Sequence, residues 1–212
     1  MLKFKNLTFV LLGTAICVAG CSKTEQAVAP TIANESLTTV ILKATNTANA
    51  SDTTSCRYKF HFDAEGNVAS ADSTTLNLKA NAKYSVAVQL YDELQSPVFD
   101  VSKEIKERQN YHLFFFQPTP ISAANLVTGL TSPYIPGTPT SSTGPYLNLS
   151  VVRTDHDTNS PAYEVGLTDT FTTGAASTGN LEVILRHQPN AKNGTFAPGS
   201  TDLDVNYKVI IK

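Results

Sequence analysis

The chain has 212 residues, 41% of them hydrophobic and 16% charged, with 16 Lys and Arg against 18 Asp and Glu for a formal charge of −2. That length supports one large hydrophobic core or two small ones. A near-neutral balance without any basic block excludes the electrostatic footprint of a nucleic-acid binder, and the scattered charges read as a solvated surface.

The first element is a leader. Lys3 and Lys5 precede an apolar run over residues 7–18, which ends in Val18-Ala19-Gly20-Cys21. A basic start, a short apolar run and small residues at the cut site mark a secretory signal. The run is too short for a membrane-spanning helix, which needs about 20 apolar residues. The Val-Ala-Gly-Cys ending resembles the lipobox of bacterial lipoproteins. That resemblance implies cleavage after residue 20, a diacylglycerol on the Cys21 thiol and an acyl chain on its new amino group. Ser22, where an Asp would signal inner-membrane retention, leans toward the outer membrane and leaves its face open. One acyl chain binds a membrane only marginally, and each buried methylene adds about 0.8 kcal/mol. Two or three chains therefore make a permanent anchor. Cys17 leaves with the leader and Cys21 carries lipid, so Cys56 stands alone and no intramolecular disulfide is available.

Residues 21–36 are small, polar and without period, and read as the lipidated cysteine plus a flexible tether. From residue 37 onward the pattern is period two, the mark of half-buried strands. Residues 38–43 form one candidate strand. In residues 56–62, Cys56, Tyr58, Phe60 and Phe62 alternate with Arg57, Lys59 and His61. Cys56 is thereby predicted to be a small buried apolar residue. Residues 63–67 carry turn chemistry. Residues 75–78 and 84–90 alternate again. Residues 101–107 fit a short helix or a strand. Residues 111–116 are a continuous apolar and aromatic run suited to a strand covered on both sides. Residues 147–151, 181–185 and 203–211 are the last candidate strands. Between the halves, the segment 118–146 holds Pro118, Pro120, Pro133, Pro136, Pro139 and Pro145 and reads as linker or long loop.

Residues 76–88 resemble the tyrosine-corner segment of fibronectin type III and related Greek-key sandwiches. There a Tyr at the start of a core strand bonds back to nearby backbone, a role that falls to Tyr84. The expected fold is therefore an all-β, immunoglobulin- or fibronectin-like sandwich. Two packed halves are expected, an N-terminal one over residues 37–117 and a C-terminal one over 147–212.

Chemistry is sparse. Asp155, Asp157 and Asn159 have the one-three-five spacing of a calcium loop. Ser160 replaces the glycine expected sixth and Gly166 the glutamate expected twelfth, so an acidic hairpin loop is the competing reading. His61, His112, His156 and His187 share no spacing that sets a metal pair on one element. Gly-x-Ser-x-Gly is absent, and no glycine-rich loop precedes a helix. The expectation is a non-enzyme without a cofactor, calcium aside. Thr53 and Ser73, each preceded by Asp, fit a short acceptor pattern for O-glycosylation of exported proteins.

Residues 171–179, then Leu185-Arg186-His187-Gln188-Pro189, and the closing 202–205 resemble a family of small uncharacterised Gram-negative lipoproteins. Many of those carry the label "type 1 periplasmic binding fold superfamily protein". The likeness extends to residues 78–81, Tyr84 and 111–116. It departs where Gly199-Ser200-Thr201-Asp202 stands for a usual Gly-Gly-Glu-Thr-Asp. The resemblance implies an envelope lipoprotein. The functional expectation is a binding or interaction module with a protein or glycan partner. A structural envelope component and, third, a secreted hydrolase are the rivals. An exposed pocket lined by aromatics favours binding, a flat polar surface favours the structural role, and clustered carboxylates in a cleft favour the hydrolase.

Overall fold

The computed structural model describes residues 37–120 and 145–212. The leader 1–20, Cys21, the tether to residue 36, and positions 121–144 of the proline-rich segment lie outside the described residues.

Eleven strands in the described residues form two sheets. The first holds β1 (Thr39–Asn46), β2 (Thr53–Phe62), β3 (Val68–Ser73), β5 (Lys83–Asp92), β6 (Phe99–Asp100), β8 (Leu149–Arg153) and β9 (Thr168–Thr173). Its order is β3-β2-β1-β5-β9-β8, with β6 added on β5. The second holds β4 (Leu76–Leu78), β7 (His112–Thr119), β10 (Ser177–His187) and β11 (Ser200–Ile211), in the order β4-β11-β10-β7. All pairings are antiparallel except β4 with β11. The protein is an all-β sandwich, as its period-two patterning predicts.

The expected division into two sandwich halves is not how the strands pair. β5 pairs with β9 and β7 with β10, so each sheet draws strands from both sides of the proline-rich segment, and the described residues all belong to one compact unit. Period-two alternation identifies a strand but not its neighbour. Pro118 lies inside β7, opposite Leu181, on the edge of the second sheet. An edge is where a strand tolerates a residue without a backbone donor.

The inward phases of the strands build one core. Val40, Leu42 and Ala44 of β1, Val86, Val88 and Leu90 of β5, and Phe171 of β9 meet Phe114 and Phe116 of β7, Leu181, Val183 and Leu185 of β10 and Val205, Tyr207, Val209 and Ile211 of β11. At about 25 cal/mol per Å² of apolar surface removed from water, this burial is the dominant stabilising term. Cys56 lies in it at 1% exposure, the small buried residue that its strand phase predicts, and burial pushes its thiol pKa up to about 12. Tyr207 adds a polar stitch between the sheets: its hydroxyl donates to the Val40 carbonyl at 3.0 Å.

Residues 101–107 resolve as helix α1 (Val101–Glu107). Asp100 caps it by accepting from the Ser102 amide at 3.1 Å, and Val101 and Ile105, one turn apart, bury toward the core. The aromatic run in β7 is covered on both sides. Phe114 and Phe116 face the core, while Leu113 and Phe115 join Ile184 and Phe196 in a second cluster. Phe196, from the loop between β10 and β11, meets Phe115 edge-on at 5.3 Å. Tyr84 is 1% exposed and its hydroxyl accepts from the Lys79 amide at 2.8 Å, the corner bond foreseen for it.

Candidate functional site

The site lies where the two sheets fail to cover one another. β2 and β3 form a hairpin closed by residues 63–67. There Asp63 accepts from the amides of Glu65 and Asn67, and Gly66 takes a positive φ of 84°. Every residue of β3 is exposed, because it is the edge of the first sheet. Opposite, β4 has only three residues and pairs only with Val209, Ile210 and Ile211. The part of β11 before Val209 therefore has β10 as its one strand neighbour among the described residues. Residues of the β2–β3 hairpin face the start of that stretch.

Between them lies a cleft of about 240 Å³. Phe60, Phe62 and Val68 form one wall, Leu37 one end, and the stretch from Asp202 to Asp204 the other wall. Phe60 is wedged against Tyr58, with centroids 5.1 Å apart, and Tyr58 meets Tyr207 edge-on at 6.0 Å. These contacts fix the aromatic wall. Val68 is 56% exposed, a large apolar side chain left in water at the mouth.

Leu185 pairs with Leu203 and Arg186 with Thr201, so Asp202 is the extra residue of a β-bulge. Bulges re-aim side chains. Here the Asp202 side chain is 3% exposed and 3.8 Å from Nε2 of His112. His112 stacks on His187 at 4.9 Å and turns Nδ1 to the Arg108 carbonyl at 3.1 Å. An acceptor there places the ring proton on Nδ1. Burial, with positive neighbours His187, Lys192 and Arg108 and against the Arg108 carbonyl bond, lowers the His112 pKa to about 4. Asp204 is exposed at the cleft. Burial raises its pKa, and burial plus the charge of Asp204 raises that of Glu182 on β10. The cleft thus offers an aromatic wall, an open stretch of sheet edge and an acidic rim. A second recess, lined by Asn148, Ser150, Thr172 and Gly174, is polar and has no aromatic.

The acidic loop after β8 is built around internal donors. Asp155 accepts from the amides of Gly166 at 2.7 Å and Leu167 at 3.3 Å. Asp157 accepts from the amides of Asn159 and Tyr163, from the Asn159 side chain, and from Lys192 Nζ at 2.8 Å. Amide and ammonium protons take up part of the lone-pair capacity of both carboxylates. Among the described residues, no group of three or more His, Cys, Asp or Glu is placed to share a metal ion. The loop is held by these internal bonds, with Lys192 paired to Asp157.

Thr53 and Ser73 sit at strand ends, Thr53 opening β2 and Ser73 closing β3, and both are exposed. Asp52 bonds Asn46 and Lys79, and Asp72 bonds His61. His61 keeps its place on the polar phase of β2, whereas His112 is fully buried.

Sequence reasoning placed Phe60 and Phe62 on an inward face but not at a cleft. That face is half-covered only because β4 is short, a fact of pairing and not of local pattern. No family model, curated protein or solved structure matches the chain.

Proposed function

We propose that the protein is a non-catalytic binding module of the bacterial cell envelope. It is tethered through lipid on Cys21, at the outer membrane, and engages its partner through the cleft between the β2–β3 hairpin and β11. The observation that carries this reading is the aromatic wall of Phe60 and Phe62 with the exposed Val68 at its mouth. Apolar side chains grouped in a concave, open site have a hydrophobic driving force to be covered. The structural-component reading has as its mark a flat polar surface, which the cleft interrupts. The hydrolase reading requires two carboxylates open to one substrate. Asp202 turns its side chain away from solvent toward His112, so of the two aspartates lining the cleft only Asp204 faces it.

The test is recovery of partners from native membranes, with envelope glycans included as baits. Wild type is compared with Phe60→Ala and Val68→Asp at matched urea midpoints. The reading requires a component retained by wild type and lost by both variants. Retention by both variants removes the cleft from the function.

A further inference from the structure

The cleft has a feature that an aromatic pocket alone does not explain: one of its walls is the uncovered edge of a β-strand. β4 occupies the position beside β11 only along Val209–Ile211. The backbone of Leu203 to Lys208 on that same side has no strand partner among the described residues. Unpaired strand edges pair readily with added strands. Its Leu203–Asp204 end lines the cleft together with Phe60, Phe62 and Val68, so a strand entering beside it would also touch the apolar wall. Beside it, Asp204 pairs opposite Ile184, two residues along from Glu182 on the same face of β10. Neither carboxylate has an ion-pair partner among the described residues.

We infer that the cleft takes an extended peptide segment of a partner protein, which adds as a strand to the free edge of β11 in line with β4. Apolar side chains of the segment rest on Phe60, Phe62 and Val68, and a Lys or Arg lies over Glu182 and Asp204. This rests on the cleft being the binding site and names the class of its ligand. Main-chain bonds to the edge supply affinity, and alternate side chains supply selectivity. A segment of about five residues spans the open stretch, an ordinary strand length. The acidic rim selects cationic strands over anionic ones, because Glu182 and Asp204 already repel each other: burial first, and then the Asp204 charge, lifts the Glu182 pKa.

The probe is a synthetic peptide of about ten residues that alternates Val and Thr, with one Lys near each end. It is titrated into the full chain in detergent. The readouts are fluorescence anisotropy and hydrogen exchange of the amides from Leu203 to Lys208. Strand addition predicts binding that slows exchange at those amides. N-methylation along one peptide edge should weaken it by about tenfold or more. Asp204→Lys, an exposed substitution that leaves the core intact, should weaken the Lys peptide and favour a Glu-bearing one. Peptide binding that ignores N-methylation, or that leaves the β11 amides unprotected, overturns strand addition. Binding of an envelope glycan lost on Phe60→Ala, with no peptide binding, also overturns strand addition but upholds the cleft. Amide protection that rises with protein concentration alone makes the occupant a second copy of this chain and overturns the partner assignment. Failure of peptide and glycan alike overturns both readings.

Discussion

Lys192→Met is the sharpest perturbation of the acidic loop. The Lys192 and Asp157 side chains are 1% and 0% exposed, 2.8 Å apart, and Lys192 also donates to the Gln109 carbonyl at 2.9 Å. Breaking a buried pair by removing one partner costs about 3–5 kcal/mol when the remaining charge is uncompensated. Here Asp157 keeps the amides of Asn159 and Tyr163 and the Asn159 side chain, which places the loss toward the lower end, about 3 kcal/mol. At about 2–4 °C per kcal/mol for a chain of this size, the midpoint falls by ~6–12 °C. Urea and thermal unfolding followed by circular dichroism measure it. The double variant Lys192→Met with Asp157→Asn should be milder than the sum of the two single changes. The pH dependence has a definite sign. Burial pushes the Asp157 pKa up, but the Lys192 bond and the Tyr163 and Asn159 amides outweigh it, so the folded value lies below the ordinary one. The stabilisation is complete above the ordinary carboxylate range, about 3.9, and is lost as pH falls through the folded value. The gap between wild type and Lys192→Met should therefore close in acid. A Lys192→Met protein within about 0.5 kcal/mol of wild type at pH 7 would refute the burial argument.

Tyr84→Phe removes the acceptor of the Lys79 amide and should cost about 1 kcal/mol, read as a lower urea midpoint with an unchanged slope. Asp169 is buried, neither of its oxygens has a hydrogen-bond partner among the described residues, and burial together with the Asp155 charge raises its pKa well above the ordinary value, against the pull of Arg153. The folded state therefore holds this proton more tightly than the unfolded one. Stability falls as pH rises from the ordinary carboxylate pKa through the folded value. Asp169→Asn should accordingly raise the urea midpoint more at pH 8 than at pH 4, and an equal effect at both would contradict a protonated buried acid. Cys21→Ala should leave the protein without fatty-acid label and absent from the membrane fraction. Continued labelling of that variant would refute the lipobox reading.

The strands that the sequence announced are those whose inward phase is apolar: β1, β2, β4, β5, β7, β8, β10 and β11. β9 was missed because, of its inward residues Asp169, Phe171 and Thr173, only Phe171 is apolar. β3 was missed because an edge strand exposed on every residue has no hydrophobic phase to read. The Tyr84 corner was legible because its contact spans only five residues. The interleaving of strands across the proline-rich segment was not, since it depends on pairings such as Tyr84 with Phe171 that no local pattern encodes. The acidic loop shows the same limit. The spacing of Asp155, Asp157 and Asn159 was visible, but Lys192, which pairs with Asp157, comes from a loop 35 residues beyond it. The cleft needed three distant facts at once: a three-residue β4, a bulge at Asp202, and a β2–β3 hairpin whose Phe60, Phe62 and Val68 face that stretch of β11.

Two exposed valines allow the most direct test of the cleft as the binding site. Val68 stands at its mouth, 56% exposed, and Val152 stands on the opposite edge strand β8, 44% exposed. A photo-crosslinking side chain is placed at one position or the other in the full chain, expressed in its native membranes. The account predicts a discrete crosslinked envelope component from position 68 that disappears with Phe60→Ala and is absent from position 152. Equal crosslinking from both positions, or none from position 68, would contradict it.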